Sequence, residues 1–248
     1  MVASGIVGVS GRAMLEALAD GAEDAAAVAA LARGRLRSKR PGLEQALRGL
    51  MGAHQRALLR SQLRLLDAAD GEIARMDQEV EARMRPVEAA IERLDTIPGV
   101  GRRGAEELLA EIGTDMGRFP TAAHLASWAR VCPGTNESAG KRASAGTGRG
   151  NPWLRRMLVE AARAAARTRR TYLAAQYRRL AARRGANRAA MAVAHTILLI
   201  AYRLLRDGTH YHDLGPTYFD ERDREAVLRR SVRRIQQLGY RVTIEEAA

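Results

Sequence analysis

Two stretches of this 248-residue chain could do chemistry on a phosphate. The first is Ile97-Pro98-Gly99-Val100-Gly101-Arg102-Arg103, in which two glycines bracket an apolar residue and two arginines follow. Glycines reach backbone angles closed to other residues and bring N–H groups close to a ligand. The helix expected after them adds its N-terminal dipole, a ready place for an anion. Gly99, Val100, Gly101, Arg102 and Arg103 are therefore candidate DNA-binding residues, through contacts that position a backbone without reading bases. The same pattern also fits an ordinary tight turn between two helices.

The second stretch is Cys132-Pro133-Gly134-Thr135-Asn136-Glu137-Ser138-Ala139-Gly140-Lys141-Arg142, followed by Gly148-Arg149-Gly150-Asn151. It sets one serine hydroxyl among glycines and cations. An unassisted serine is a weak nucleophile and needs a base, a metal or surrounding charge to act. Lys141, Arg142 and Arg149 could stabilise the non-bridging oxygens of a reacting phosphate, with Arg155 and Arg156 as further candidate DNA contacts just beyond the loop. Spacing alone reads Ser138 more readily as a plain loop residue than as a nucleophile, and Glu137 more readily as a solvated acid than as a base or a metal ligand. Trp128 and Trp153 read as core residues flanking the loop, either of which could stack on a base. His210, His212 and Asp213 lack further ligands nearby, so no metal site is assigned. His195, in an apolar stretch, reads as a satisfied core histidine.

The charge agrees with a polyanionic partner. The chain carries +13 overall, but Ser138 to Arg206 holds sixteen Lys or Arg against one acid, Glu160. That stretch is +15, which leaves the remainder slightly acidic. Lys39 and Lys141 are the only lysines. A composition drift towards arginine explains the missing lysines but not the missing acids, so nucleic-acid binding is the better reading.

The elements that must hold these residues read as helices. Aromatics are only 4% of the chain and Ala and Leu abound, which favours packed helices. Short helices are expected around Gly21, then a basic break from Gly34 to Pro41. From about His54 an apolar seam repeats every seven residues through Leu59, Leu66, Ile73, Val80, Val87 and Leu94, the mark of a coiled coil or helical hairpin. Asp70 and Asp77 interrupt its partner set, and Pro86 predicts a kink or a new helix start. Further helices are expected after Gly101, from Thr121, over 153–167, 172–184, 187–206 and 223–238, with a short strand over 241–244. The fold class is mostly α. Its parts are a helical N-terminal segment (1–53), an arm (54–95), a serine-bearing domain with a helix-hairpin-helix (96–215) and a C-terminal helix and tail (216–248).

The single Cys132 excludes an internal disulfide framework and fits a reducing cytoplasm. The opening apolar segment, broken by Gly5, Gly8 and Ser10, does not read as a signal peptide. The stretch from Ala189 to Leu205 is interrupted by His195 and Arg203 and reads as a buried helix, not a membrane span.

At these residues the chain resembles a known family. Ile97 to Gly113, Phe119 to Trp128, Cys132 to Arg142 and Gly150 to Ala162 are similar to the C-terminal domain of the IS110 family, transposases of bacterial insertion sequences. The likeness extends through Tyr172 to Arg184 and Leu214 to Asp220, and back to Val7–Arg12. It implies a serine nucleophile, matched here by Ser138, that forms a covalent phosphoserine link to DNA. It further implies oligomers guided by a structured RNA of the element, a coiled-coil region, and an N-terminal RuvC-like domain whose acids bind magnesium. Arg130 stands where the family usually has glycine. No such acidic domain is recognisable after Met1, so magnesium is expected only with that domain and no cofactor is assigned to this chain. The resemblance thus implies an RNA-guided DNA transposase of the cytoplasm, associated with the nucleoid. Its copy here is expected to be truncated and inactive alone, with DNA, the guide RNA and further copies of itself as partners. A non-catalytic nucleic-acid-binding remnant or regulator is the alternative.

Overall fold

The computed structural model describes residues 5–49, 51–132, 137–138, 141–142 and 150–245. The protein is mostly α-helical, as its composition predicts, and separates into two compact units, 1–83 and 84–248.

The first unit holds α1 (Val9–Ala19), α2 (Ala25–Ala30), a 3-10 turn (Gly34–Lys39), α3 (Arg40–Leu47) and most of α4 (Ala53–Met84). Its core is small: Met14, Val28, Ala29, Ala32 and Leu43. Asp24 caps α2 by accepting from the Ala26 N–H, and the Ser10 hydroxyl accepts from the Arg33 N–H at 2.8 Å. Along α4 only Leu63 is buried, while Leu66 and Ile73 of the seven-residue seam stay exposed, Ile73 by 59%. The seam runs on in the sequence to Leu94, but the long helix stops at Met84. Pro86 cannot donate to a continuing helix and sits in a 3-10 turn (Arg85–Val87). Leu94, the last seam residue, and Ile91 of its partner set lie on α5 (Glu88–Asp95) and belong to the core of the second unit.

That second core gathers around α10 (Ala186–Asp207). The helix packs against α7 (Ala122–Trp128), α8 (Pro152–Arg167) and α9 (Tyr172–Arg184), with α5 and α6 (Gly101–Ile112) alongside. Its inward face is built from residues at helical spacing, Ala190, Val193, Ala194, Ile197, Leu198 and Ala201. Fully burying each of the larger side chains stabilises the fold by about 1.5–3 kcal/mol. Among the described helices α10 alone is long and apolar enough to cross a membrane, yet half of it is buried inside this core. Gly208, at φ 68°, ends it in the left-handed conformation that glycine adopts freely.

Side chains close the helix ends as their types predict. Thr121 caps α7, Asn151 caps α8 and Thr171 caps α9, each accepting from N–H groups of the first turn. Asp213 fastens the segment after α10 back onto α9. Its carboxylate accepts from the Tyr172 N–H at 3.0 Å, the Gly215 N–H at 2.7 Å and the Tyr211 hydroxyl at 3.0 Å. Burial and this bond push the Tyr211 phenol far above its ordinary range. Asp213 is therefore a structural clasp. Two short helices follow, α11 (Tyr218–Arg222) and α12 (Arg224–Gln237). Residues 241–244, expected as a short strand, form none, and a strand needs a partner segment for its backbone hydrogen bonds.

His195 departs from the satisfied core histidine expected of it. Its Nδ1 is buried without a hydrogen-bond partner among the described residues, and burial lowers its pKa from 6.5. The folded state therefore favours neutral imidazole, and the unfolded chain takes up a proton first as pH falls. Stability from this site is full above pH 6.5 and is lost as pH falls below it. Thermal unfolding of the wild type should drop more steeply between about pH 7 and about pH 5 than that of His195→Gln. Parallel profiles for the two proteins would contradict this.

Candidate nucleic-acid interface and serine loop

α5 and α6 are joined by a five-residue turn, Thr96 to Val100, that is set by its sequence. Ile97 and Val100 are buried and pin the turn to the core. The Ile97 N–H donates to the Leu94 carbonyl and the Val100 N–H to the Ile97 carbonyl, both at 3.1 Å. Thr96 ties the turn to the segment after α10, accepting from the Tyr211 N–H at 3.0 Å.

The two glycines do different work. Gly99 has φ 91°, and a Cβ there would sit 2.3 Å from the Ala161 carbonyl oxygen and 2.5 Å from the Ala165 nitrogen of α8. Gly101 has φ 65° and faces open space. So Gly99 lets the turn lie against α8, while Gly101 stands at the exposed mouth of α6. Val100 offers no side-chain cap to α6, and the first N–H groups of a helix have no acceptor within it. Gly101, Arg102 and Arg103 thus present the open N-terminus of a twelve-residue helix.

Charge at this mouth differs from the sequence expectation. The Arg102 guanidinium donates to both oxygens of Glu88, one bond at 2.9 Å, and its Nε lies 3.2 Å from Glu106. Arg103 lies 3.8 Å from Glu106. The hydrogen bond from Arg102 holds the Glu88 carboxyl below its usual range. Two cations therefore meet two acids, and they add far less positive field than their types suggested.

The serine loop leaves α7 and returns to α8. Its glycines and arginines fix where it begins and ends. Arg130 adopts φ 54°, a left-handed conformation costly for a residue with a Cβ. Gly150 comes so close that a Cβ on it would sit 2.6 Å from the Arg130 Cβ and 2.7 Å from the Ala129 carbonyl oxygen. The Arg155 Nη2 donates to the Arg130 carbonyl at 3.1 Å. Asn151 caps α8 and donates to Glu111 of α6. Both ends of the loop are thus pinned to the start of α8.

Within the loop, β1 (Glu137–Ser138) pairs antiparallel with β2 (Lys141–Arg142), with Ser138 opposite Lys141 and Glu137 opposite Arg142. The backbone therefore brings the serine and the first cation of the loop side by side. Arg149 lies outside the described residues. Arg155 is taken up by the loop base, and Arg156 pairs with Glu160 at 3.0 Å.

The tryptophans are not core residues. Trp128 is 48% exposed, tilted against Phe119 at 5.6 Å, and Trp153 is 69% exposed. They stand at the last turn of α7 and the first turn of α8, where the chain leaves and re-enters the core. Trp153 borders a groove of about 390 Å³ between α6 and α8, together with Glu107, Glu111, Arg156 and Glu160. Asn151, Glu111 and Gly150 carry the loop base; Glu111 stands outside the sequence reading, and Gly150 and Asn151 enter it only as part of the loop. The Asn-Pro pair before an apolar run, a helix-start signal, marks Asn151.

Comparison with known proteins converges on the same region. Residues 91–178, from within α5 to within α9, match the model of the transposase IS116/IS110/IS902 family. The chain is also similar to a curated Streptomyces coelicolor protein described as the insertion element IS110 uncharacterized 43.6 kDa protein. The two are 38% identical over 131 residues, which cover 50% of this chain and 30% of that protein. The matched segment includes the turn, the serine loop and α8.

The different surroundings of the two glycines predict different costs. Gly99→Ala combines left-handed strain with overlap against α8 backbone and should destabilise by about 3 kcal/mol or more. Gly101→Ala carries the strain alone and should cost about 1–2 kcal/mol. Urea unfolding measures both, and equal losses would refute the packing role of Gly99.

Proposed function

We propose that this chain is the nucleic-acid-handling, serine-bearing part of a DNA transposase. The α6 mouth and the basic helices grip a sugar–phosphate backbone, and Ser138 attacks a phosphodiester. The observation that carries the reading is the pinning of both ends of the serine loop onto α8. This is the helix against which the glycine turn packs, within the segment that matches the transposase model.

In the proposed step the Ser138 Oγ forms a bond to phosphorus and one P–O ester bond breaks. The departing oxygen leaves as a sugar hydroxyl after taking up a proton, and the serine proton passes to solvent or a base. Lys141, opposite Ser138 in the hairpin, is suited to offset charge on the non-bridging oxygens. Exposed Trp128 and Trp153 offer faces for unpaired bases at the rim of the loop. Arg102 and Arg156, in exposed ion pairs with Glu88 and Glu160 worth little in water, can exchange these carboxylates for phosphates, while Arg103 beside the buried Glu106 adds a further cation. No three acids or histidines converge to hold a metal among the described residues, so no step is routed through magnesium. A guide RNA of the element is the proposed source of sequence choice, since backbone contacts supply none.

Complementation tests the nucleophile. The chain is combined with a full-length family member whose own serine is changed to alanine, with magnesium, element RNA and labelled junction DNA. A covalent DNA adduct should then migrate with this 27.1 kDa chain and vanish with Ser138→Ala, while DNA affinity changes less than about two-fold. Adducts that survive Ser138→Ala would overturn the assignment. Nucleic-acid binding without any serine-dependent adduct would favour a non-catalytic binding protein.

The exposed seam of α4 supports a second part of the proposal, pairing with another copy. Ile73→Asp with Val80→Asp should lower the mass seen by light scattering at micromolar concentration. A wild-type chain that is monomeric there would refute the pairing.

A further inference from the structure

A second basic surface lies in the 84–248 unit beyond the family-matched segment. Arg179 and Arg183 of α9 and Arg230 and Arg234 of α12 line one groove of about 290 Å³, with Ser231 and Val227. Asp220 is the one acid in its lining. Both arginine pairs are spaced i, i+4, one helical turn or about 6 Å apart. Two rungs of cations therefore face one another across the groove.

The groove is held open by specific contacts. Phe219 of α11 stacks on Tyr172 at the start of α9 with centroids 5.1 Å apart, and Tyr218 meets the same ring edge-on at 5.2 Å. Arg179 lies over Phe219 at 5.5 Å and pairs at 3.5 Å with Asp223, the residue before α12. These bonds fix the start of α12 beside α9 and engage Arg179 in the wall.

The other three arginines are differently placed. Arg183, Arg230 and Arg234 are exposed, and none pairs with a carboxylate among the described residues. Elsewhere on this unit Arg102, Arg156, Arg206 and Arg222 each have an acid within 4 Å. Converging cations repel, and such a cleft concentrates counter-anions. Guanidinium forks match phosphate oxygens in pairs. Nothing in the lining offers an aromatic face to a base.

We infer that the α9–α12 groove holds the phosphates of a nucleic-acid strand, as a contact separate from the α6 mouth and indifferent to sequence. The inference rests on the nucleic-acid reading of the chain, but on residues outside the region that carries that reading. A basic helix can also lie on an anionic membrane. Here the arginines converge into a groove against a second helix instead of spreading over an open face, which suits a strand.

The full chain is titrated by fluorescence anisotropy with single-stranded DNA, the same sequence as RNA, and duplex DNA, across salt. The variants are Arg183→Glu/Arg230→Glu/Arg234→Glu and the matching triple change to Lys, with helix content checked by circular dichroism. The Glu variant should bind at least about ten-fold more weakly at low salt. Its log–log salt slope should fall by about 2–3 on the strand the groove holds, near 0.9 per duplex phosphate or 0.7 per single-stranded one. The Lys variant should keep most of the slope, and the ligand with the largest drop identifies the strand. Normal binding and slope in a folded Glu variant would overturn the groove assignment while leaving the transposase reading intact. A wild type that binds no nucleic acid at low salt would sink that reading itself. Charge-dependent binding to phosphatidylserine vesicles, with nucleic-acid binding unchanged by the Glu variant, would assign the groove to lipid instead.

Discussion

The contact between Gly99 and α8 governs how the rest of the second unit is arranged. A carbonyl and an amide of α8 occupy the space where any other residue would carry its Cβ. The face of α8 that receives the turn is lined with Ala161, Ala162 and Ala165, all buried and too small to hold the turn away. This approach fixes the angle between the α5–α6 turn and α8. The first turn of α8 in turn carries Asn151 and Arg155, which hold the loop base and Glu111. Two motifs adjacent in sequence are thus coupled in space through one helix, and a shift of the turn cannot leave the serine loop behind. Such coupling suits chemistry, because phosphoryl transfer depends on placing a nucleophile and the charge-stabilising groups together.

Charge is placed less simply than it is counted. The arginines of the glycine turn and of the basic block read as one field along the sequence, yet Glu88, Glu106 and Glu160 each take up an arginine. The exposed pairs at Glu88 and Glu160 add about 0–1 kcal/mol to stability, so losing either carboxylate to a phosphate costs the fold little, whereas Glu106 is buried. They suppress attraction at long range and release it at contact. The α9–α12 groove follows the opposite rule, with cations left uncompensated where the walls already hold them together.

Much of this was legible beforehand because it rests on local rules. The helices, the cap at Thr121 and the break at Pro86 follow from residue type and period. The glycine turn was visible too, but not the division of labour between Gly99 and Gly101, since only the position of α8 distinguishes them. The seven-residue seam misled in its last third. Val87 and Leu94 keep the repeat, but a repeat records that a helix face is apolar and not what covers it, and here the core of the second unit does. Trp128 and Trp153 misled for a related reason, because size and apolarity suggest burial while loop ends lie at the surface. The remaining gaps are long-range pairings, such as Arg155 with Arg130 and Arg102 with Glu88, which no spacing rule encodes.

Arg130 shows how the serine loop differs from an ordinary connection. A left-handed residue with a Cβ costs about 1–2 kcal/mol and persists only where its surroundings over-determine it. At Arg130 they do: Val131 is buried on one side, Gly150 presses against its Cβ and the Ala129 carbonyl, and Arg155 holds its carbonyl. A loop that merely joined α7 to α8 could relax this position by moving its return strand away. Instead the return is brought to contact by Gly150, where a Cβ would overlap Arg130 and the Ala129 carbonyl. The chain therefore spends stability to close the neck of the loop. That expense makes sense if what the neck presents, Ser138 beside Lys141, must be delivered from a fixed base.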